Sequence, residues 1–271
     1  MSDLTLVQSF VLGVLQGLAE FLPVSSSAHL SLAPWAFGWP EPGLAFDVAL
    51  HVGTLVALLW YFRAEWFVLA SAGATVLSTR RVATDDQRRA VLLVLATVPG
   101  GLAGLLFEKQ AETIFRAPAL TAVALMVMGA ILWTVDAFAA RARALPSMRW
   151  RDALLIGCAQ AVALIPGVSR SGATITAGRA LGFDRRSATI FSFMMSMPII
   201  AAAALLKVPK ALAQCGVTVP LIVGVVTAAL SSTLAITVLL RFIQRRGFGV
   251  FALYRFALGA AVLALVAARG S

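Results

Sequence analysis

Long apolar runs alternate with short charged clusters along this chain of 271 residues. Six runs reach about 18 residues or more with almost no charge, the length that a helix needs to cross a hydrocarbon layer about 30 Å thick. Continuous runs of this kind fit helices, which satisfy their own backbone polar groups, better than the alternating strands of a barrel. The pattern therefore predicts six transmembrane helices, at residues 44–62, 90–107, 118–138, 187–206, 219–240 and 249–268.

Two further apolar segments differ because each runs into a polar loop that contains proline. Residues 4–22 lead into PVSSSAH and residues 153–165 lead into PGVSRSG, and a short, weakly polar helix is expected after each loop. Irregular backbone at membrane depth is tolerated only where protein buries it or where it lines a polar cavity. The pattern predicts two re-entrant helical hairpins.

The arginines form four clusters, at residues 80–89, 141–151, 179–186 and 241–246. Cytoplasmic loops carry an excess of Lys and Arg. A full crossing by residues 153–165 would put two neighbouring clusters on opposite sides, whereas re-entry puts all four in the cytoplasm. The mixed loops 108–116 and 207–218 are then expected outside. Residues 64–79 are only moderately apolar and predict a helix that lies in the interface.

An internal repeat relates the two hairpins. Residues 13–27 align without gaps on residues 157–171, a constant offset of 144. The whole chain is read as one transmembrane domain with repeats 1–140 and 141–271, each with one hairpin and three spans. Three is odd, so the second repeat is inverted, an architecture that recurs in transporters. The identical pairs are Gly13/Gly157, Gln16/Gln160, Ala19/Ala163, Val24/Val168, Ser25/Ser169 and Ser27/Ser171.

Composition agrees with this all-α membrane class. Hydrophobic residues make up 60% of the chain and charged residues 13%, with a mean hydropathy of +0.91, which excludes an ordinary soluble domain. The net charge of +10 could suggest nucleic acid, but the arginines lie between apolar runs and act as topology signals. Nucleic acid is therefore not an expected partner. The two cysteines show neither metal spacing nor a disulfide framework.

The first hairpin carries candidate chemistry. Gln16 and Glu20 are four residues apart and share a helix face, and a carboxylate at membrane depth usually faces a polar cavity. A cluster of hydroxyls with one imidazole follows, a combination of nucleophile and base types: Ser25, Ser26, Ser27 and His29. Taken alone, these serines could equally be a helix N-cap, and neighbouring helices could satisfy Glu20 without any chemistry.

The second loop, PGVSRSGAT, is typical of an anion site. Its glycines allow the backbone to approach a ligand, and the following helix offers free N–H groups. Arg170 adds a planar fork suited to phosphate oxygens. The alternative is a structural ion pair between Arg170 and Glu20. The candidate phosphate-binding residues here are Ser169, Arg170, Ser171, Gly172 and Thr174, while four other polar residues are left outside the site: Asp47, His51, Asp136 and Gln160.

Together, the Gln16-x-x-x-Glu20 pattern, PVSSSAH and PGVSRSGAT resemble the undecaprenyl-diphosphate phosphatase family, also known for bacitracin resistance. The resemblance covers the whole chain in length, hydropathy and motif order. It implies a bacterial plasma-membrane enzyme that removes the terminal phosphate of a C55 polyprenyl diphosphate and recycles the lipid for cell-wall synthesis. Many members carry Glu at the position of Gln16. By match to the family motifs, the catalytic residues are Glu20, Ser26, His29 and Arg170, and Ser25 and Ser27 join the second loop around the phosphates.

The expected mechanism has Ser26 as nucleophile with His29 or Glu20 as its base; His29 as nucleophile and a metal-activated water remain alternatives. A divalent cation, Mg²⁺ or Ca²⁺, would be held by Glu20, Gln16 and substrate oxygens. The expected partners are the lipid substrate and the bilayer, and the sequence leaves homodimer formation open. We expect the site to open to the outer side. Two rival functions are a transporter or flippase of a phosphorylated lipid or solute and a non-catalytic scaffold.

Overall fold

The computed structural model describes residues 4–107 and 117–270, and the regular structure of these residues is helical. The predicted all-helical class is confirmed. The predicted outer loop 108–116 lies outside the described residues. The helices are α1 Leu6–Phe21, α2 Ser26–Phe37, α3 Gly43–Tyr61, α4 Arg63–Thr79, α5 Asp85–Leu106, α6 Pro118–Phe138, α7 Trp150–Val162, α8 Arg170–Ala180, α9 Arg185–Cys215, α10 Val219–Arg245 and α11 Gly249–Arg269, with a 3₁₀ turn at Leu145–Ser147.

Five of these helices, α5, α6, α9, α10 and α11, are each long and apolar enough to cross a membrane. The sixth predicted span, α3, reaches that standard only together with α4, and the two helices meet at an angle of 87°. The bend follows Phe62, whose φ of −102° departs from helical values. α4 therefore runs across the direction of α3, and Phe67 on it is exposed by 79%. The interfacial position of this helix stays a prediction.

One predicted boundary is wrong. Residues 207–218 were expected to form a loop, but α9 continues through Pro209 to Cys215. Ala, Leu, Lys and Gln dominate this stretch and are strong helix formers, so the helix extends past the apolar run. It ends before Gly216, whose φ of +66° suits a helix terminus. The end of the apolar run therefore does not mark the end of the helix.

Each broken hairpin packs against a helix from the other half of the chain. α1 lies along α10, and α7 lies along α5. Glycines permit both approaches: a side chain at Gly13 or Gly17 would collide with α10, and one at Gly157 would collide with the backbone of Ala96 on α5. α6 and α11 pair with each other, and α3 packs on both α9 and α10. The two hairpins are therefore enclosed by helices from both halves.

All four arginine clusters lie at one end of the bundle. The Arg88 guanidinium donates to the carbonyl oxygen of Pro146, which joins the first cluster to the second. The backbone N–H of Arg143 donates to Gly182 O at 3.1 Å, which joins the second cluster to the third. The shared end agrees with the charge pattern that predicted a single side for the clusters.

Asp136, on α6, connects the third cluster to Phe248, which lies just after the fourth cluster. Its Oδ1 accepts from Arg179 Nε at 3.0 Å, and its Oδ2 accepts from Arg185 Nη2 at 2.8 Å. Oδ2 also accepts the backbone N–H of Phe248 at 3.0 Å. Arg179 is fully buried, so an unpaired Asp136 or Arg179 would be costly. The sequence left Asp136 as a lone polar residue, because its partners are distant along the chain.

Candidate active site

The breaks in the two hairpins have the same backbone geometry, 144 residues apart. Ser25 and Ser169 are the N-cap residues of α2 and α8, with φ of 75° and 72°. Their hydroxyls accept from the backbone N–H groups of Ala28 at 3.4 Å and Gly172 at 3.1 Å. A positive φ in a residue other than glycine costs about 1–3 kcal/mol. The caps help to hold both residues in this conformation.

The two breaks are in direct contact. The backbone N–H of Gly167 donates to Ser25 Oγ at 3.2 Å, and Ser171 Oγ donates to Leu22 O at 3.2 Å. Gly167 has a φ of +96°, and a side chain there would collide with the carbonyl oxygen of Thr121. Only glycine therefore fits the position at which the second loop approaches the first.

Arg255, on α11, ties the two loops together. It is fully buried, and its Nε donates to Pro23 O at 2.6 Å. Its Nη1 donates to Val168 O at 3.2 Å and to Gly167 O at 3.4 Å. Pro23 and Gly167 are equivalent positions at the offset of 144. The sequence analysis missed this residue, since one arginine in an apolar helix carries no motif.

Glu20 is the centre of the site. Its Oε1 accepts from Arg170 Nη2 at 2.5 Å. Its Oε2 accepts from Ser26 Oγ at 2.6 Å and from Gln16 Nε2 at 3.0 Å. The Glu20 residue is 6% exposed. The structure thus unites four of the predicted site residues, and it contains the Arg170–Glu20 ion pair that the sequence offered as an alternative.

His51 also reaches this carboxylate, although the sequence analysis left it out. Its Nε2 lies 3.5 Å from Glu20 Oε2, and its Nδ1 lies 2.7 Å from the carbonyl oxygen of Asp47. His51 is on α3, and Asp47 lies one helical turn earlier. The i, i+4 spacing of Asp47 and His51 was visible in the sequence, but the approach of α3 to α1 was not.

His29 has a different environment from the one its motif suggests. Its Nδ1 lies 2.7 Å from Ser25 O, and its Nε2 lies 2.6 Å from the hydroxyl oxygen of Tyr254. The rings of His29 and Tyr254 stack with centroids 5.7 Å apart. Both ring nitrogens are therefore engaged, and neither contact is with Ser26. Among the described residues, Glu20 is the basic group that holds the Ser26 hydroxyl.

The remaining predicted phosphate-binding side chains line the breaks. Ser27 is exposed, and its Oγ lies 3.2 Å from Ser25 Oγ. Ser169 Oγ lies 3.2 Å from Ser171 Oγ. Thr174 Oγ1 lies 2.6 Å from Ser192 Oγ, so it joins α8 to α9. A side chain at Gly172 would collide with the guanidinium of Arg255. Glycine at this position therefore allows Arg255 to lie against the first turn of α8.

Two buried polar atoms of the site have no hydrogen-bond partner in the described part of the chain: Arg170 Nη1 and Gln16 Oε1. Buried polar atoms normally have partners, so such exceptions indicate a place for a ligand. Arg170 Nη1 can donate to an anionic oxygen, and Gln16 Oε1 can accept a donor or contact a cation. The described residues contain no group of three His, Cys, Asp or Glu side chains that could hold a metal alone.

Comparison with known proteins gives consistent matches. A family model described as "Bacitracin resistance protein BacA" matches residues 9–261. The chain is 55% identical over 266 residues to a protein of Gemmatimonas aurantiaca named undecaprenyl-diphosphatase, covering 98% of this chain and 100% of that protein. It is 48% identical over 266 residues to the protein of that name from Pelotomaculum thermopropionicum, with 98% of each chain covered. The protein of that name from Moorella thermoacetica is 48% identical over 262 residues, with 97% of this chain and 98% of that one covered.

Proposed function

This chain belongs to the bacitracin resistance protein BacA family, and we propose that it hydrolyses undecaprenyl diphosphate to undecaprenyl phosphate and inorganic phosphate. Its relatives over nearly the full length are named for that diphosphatase activity. The observation that carries the proposal is the contact of Ser26 with Glu20 and of Glu20 with Arg170 at the meeting of the two breaks.

The residues divide into an anion-binding part and a nucleophile. Arg170 would bind the diphosphate through its unpartnered Nη1, together with the first N–H groups of α8. Ser169 and Ser171, with Ser25 and Ser27 on the other break, would donate to phosphate oxygens. Such donors are most effective where water is excluded and charge develops in the transition state.

Ser26 is the proposed nucleophile, and Glu20 is its base. Ser26 Oγ already donates to Glu20 Oε2 at 2.6 Å, the geometry expected of a nucleophile and its base. As Oγ attacks the terminal phosphorus, its proton moves to the carboxylate, and the bond to the bridging oxygen breaks. Water then cleaves the phosphoserine and releases phosphate. His29 would hold the first break in place through Ser25 O and Tyr254.

A divalent cation fits the site only if substrate supplies part of its ligands. The Glu20 carboxylate and the buried Gln16 Oε1 are hard oxygen donors close together, and Mg²⁺ commonly takes one or two protein oxygens with phosphates and water. These two residues would hold Mg²⁺ or Ca²⁺. The ion would neutralise charge on the phosphates.

The proposed membrane arrangement has six spans and two re-entrant hairpins, as inverted repeats 1–140 and 141–271. The four arginine clusters, which share one end of the bundle, would face the cytoplasm. The first hairpin then enters from outside and the second from the cytoplasm. We place the enzyme in the bacterial inner membrane with its site open to the outer side.

The deciding experiment is phosphate release by the purified protein from C55 and C15 diphosphates, with and without a chelator. Hydrolysis that is lost in Ser26→Ala supports the proposal. A protein that binds the lipid in detergent without releasing phosphate would be a transporter or flippase, since an inverted repeat with two hairpins also suits alternating access. If substitutions in the breaks change only stability, the protein is a scaffold.

A further inference from the structure

A cavity of about 360 Å³ lies where four apolar helices begin or end, at the arginine-rich end of the bundle. These helices are α6, α9, α10 and α11, and each is long and apolar enough to cross a membrane. The lining includes Ala137 near the end of α6, Arg185 and Gly249 at the starts of α9 and α11, and Arg246 just after α10. Spanning helices end near the lipid headgroups, so we expect the cavity at that depth.

The lining of the cavity is partly cationic and partly apolar. Its cationic side chains are Arg185 and Arg246, and its large apolar side chains are Trp133, Phe242 and Val250. Trp133 is exposed by 45% and Val250 by 50%, so the cavity opens to the outer surface of the bundle. Tryptophan is common at headgroup depth. A phospholipid has the same two parts, a charged headgroup and the first carbons of its acyl chains.

Asp136 is the only acidic residue among the described residues that line the cavity, and its charge is already compensated. Its Oδ1 accepts from Arg179 Nε at 3.0 Å, and its Oδ2 accepts from Arg185 Nη2 at 2.8 Å. Two guanidinium groups thus share one carboxylate, which leaves an excess of positive charge. The lining therefore offers no free carboxylate to the ammonium of a zwitterionic headgroup.

Arg246 adds a further positive charge to the cavity. Its side chain is exposed and makes no ion pair with any residue that the structure describes. Arg185 uses Nε and Nη2 for Asp136, so the rest of its guanidinium can contact a ligand. α11 begins beside these arginines at Gly249, and no side chain caps its start. A helix start favours an anion, so it adds to the attraction that the two arginines provide.

We propose that this cavity binds the phosphate group of an anionic phospholipid. Arg246 and Arg185 would bind the phosphate oxygens, and Trp133, Phe242 and Val250 would contact the glycerol and the first acyl carbons. Basic pockets between transmembrane helices are suited to such headgroups. The bound lipid would join the ends of α9, α10 and α11. None of the lining residues belongs to the two hairpin breaks, so the inference does not depend on the proposed phosphatase function.

The first experiment measures lipid binding to the detergent-solubilised protein by native mass spectrometry, with phosphatidylglycerol and phosphatidylcholine at equal amounts. Wild type should retain one phosphatidylglycerol in preference to phosphatidylcholine. Arg246→Ala should weaken this binding about fivefold, the typical effect of one basic residue near anionic lipid. Arg246→Lys keeps the charge and should retain most of the binding.

Arg81→Ala is the matched control for Arg246→Ala. Arg81 belongs to the first arginine cluster, is also exposed and has no ion pair within the described part of the chain, but it does not line the cavity. Arg81→Ala should bind phosphatidylglycerol as wild type does. Equal binding by wild type and Arg246→Ala, or an equal loss in both alanine variants, would overturn the proposal.

The second experiment locates the lipid through the fluorescence of Trp133. The chain contains six tryptophans, so the signal of Trp133 is the difference between wild type and Trp133→Phe. Phosphatidylglycerol with a spin label at the start of an acyl chain should quench this signal, and the quenching should decrease in an Arg246→Ala background. Equal quenching by spin-labelled phosphatidylcholine would mean that unselected bilayer lipid surrounds Trp133, which contradicts the proposal.

Inorganic phosphate distinguishes a lipid site from a site for a free anion. Bound phosphatidylglycerol should resist an equal concentration of inorganic phosphate, because its acyl chains add buried apolar surface to the contacts of the headgroup. Displacement of the lipid by inorganic phosphate would mean that the cavity selects a free anion, and the lipid assignment would be wrong. Neither the binding nor the fluorescence measurement requires turnover, so both can be decided even if the protein releases no phosphate.

Discussion

Arg170 and Glu20 meet across the two breaks, although they are 150 residues apart in the sequence, with Arg170 Nη2 and Glu20 Oε1 separated by 2.5 Å. The two side chains are only 16% and 5% exposed, and the pair allows both charges to be largely buried, where either alone would be costly. It uses one terminal nitrogen of the guanidinium and leaves Nη1 without a partner. The Arg170 side chain can therefore stabilise the Glu20 carboxylate through Nη2 and, at the same time, bind a phosphate oxygen through Nη1.

Arg170→Lys is expected to lower kcat for phosphate release about 10² to 10³-fold. An ammonium keeps the charge beside Glu20 but cannot contact the carboxylate and a phosphate with a planar fork. The thermal midpoint should change little because the ion pair persists. Arg186→Lys, at an exposed position, is the control and should retain activity. A fully active Arg170→Lys protein would reject the assigned role.

Ser26→Ala is expected to be nearly inactive, whereas Ser27→Ala should retain substantial activity. Ser26 Oγ donates to Glu20, whereas the exposed Ser27 places its Oγ 3.2 Å from Ser25 Oγ. Because the two serines are adjacent, Ser27→Ala is the control for any general disturbance of α2 by a Ser→Ala change. Phosphate release and mass spectrometry of the quenched enzyme provide the test. A phosphoryl group trapped on His29, or an active Ser26→Ala protein, would require another nucleophile.

Arg255→Met is expected to lower both kcat and the thermal midpoint. The change leaves the carbonyl oxygens of Pro23, Gly167 and Val168 without this donor, at a typical cost of about 1–3 kcal/mol for each buried unsatisfied group. Arg255→Lys should restore part of kcat, since an ammonium can still reach one loop. Equal activity of Arg255→Met and wild type would show that the loops hold their positions without the guanidinium.

Asp152→Asn should alter the pH dependence of stability at the arginine-rich end. Burial raises the pKa of Asp152, but hydrogen bonds from Arg143 and from the Arg149 backbone outweigh it, so the pKa lies below the ordinary 3.8. A lowered pKa stabilises the fold above the unfolded value, and this stabilisation is lost as the pH falls through the folded value. Wild type should lose about 1–2 kcal/mol below about pH 4, and Asp152→Asn should lack this loss. Thermal midpoints of the two proteins at pH 7 and pH 3 provide the comparison.

The proposed sidedness can be tested with single cysteines in a background without Cys158 and Cys215. Glu41 and Arg186 are both exposed and lie on opposite sides in the proposed arrangement. Glu41→Cys should react with a membrane-impermeant thiol reagent in intact cells, and Arg186→Cys only after the membrane is broken. Labelling of Arg186→Cys in intact cells would mean that the second hairpin spans the membrane.

The sequence was sufficient for features that depend on local pattern. Apolar length predicted the helices, and proline with serine predicted both breaks. Contacts that depend on packing were not predictable: His51 reaches Glu20 from another helix, and Arg255 binds a carbonyl oxygen 232 residues away. The spacing of residues along the sequence does not predict these two contacts, because they depend on how α3 and α11 pack against the hairpins.

The offset of 144 also reveals how the two breaks differ in chemistry. Ser26 corresponds to Arg170, and Glu20 corresponds to Leu164. Equal backbone shape therefore presents a nucleophile with its base on one break and a guanidinium on the other. The repeat was detectable from the identical residues, but the function depends on the positions at which the two halves differ.

Ser25 and Ser169 both have a positive φ. Glycine would adopt this conformation without the steric penalty of a side chain, yet the chain has a hydroxyl at both. Ser25→Gly and Ser169→Gly should therefore relieve torsional strain while they remove a cap and a donor. Each hydroxyl caps the helix that follows it, and that of Ser25 also accepts the buried backbone N–H of Gly167. The lost hydrogen bonds would therefore offset the relief of strain, and the two serines stabilise the meeting of the breaks in a way that glycine cannot.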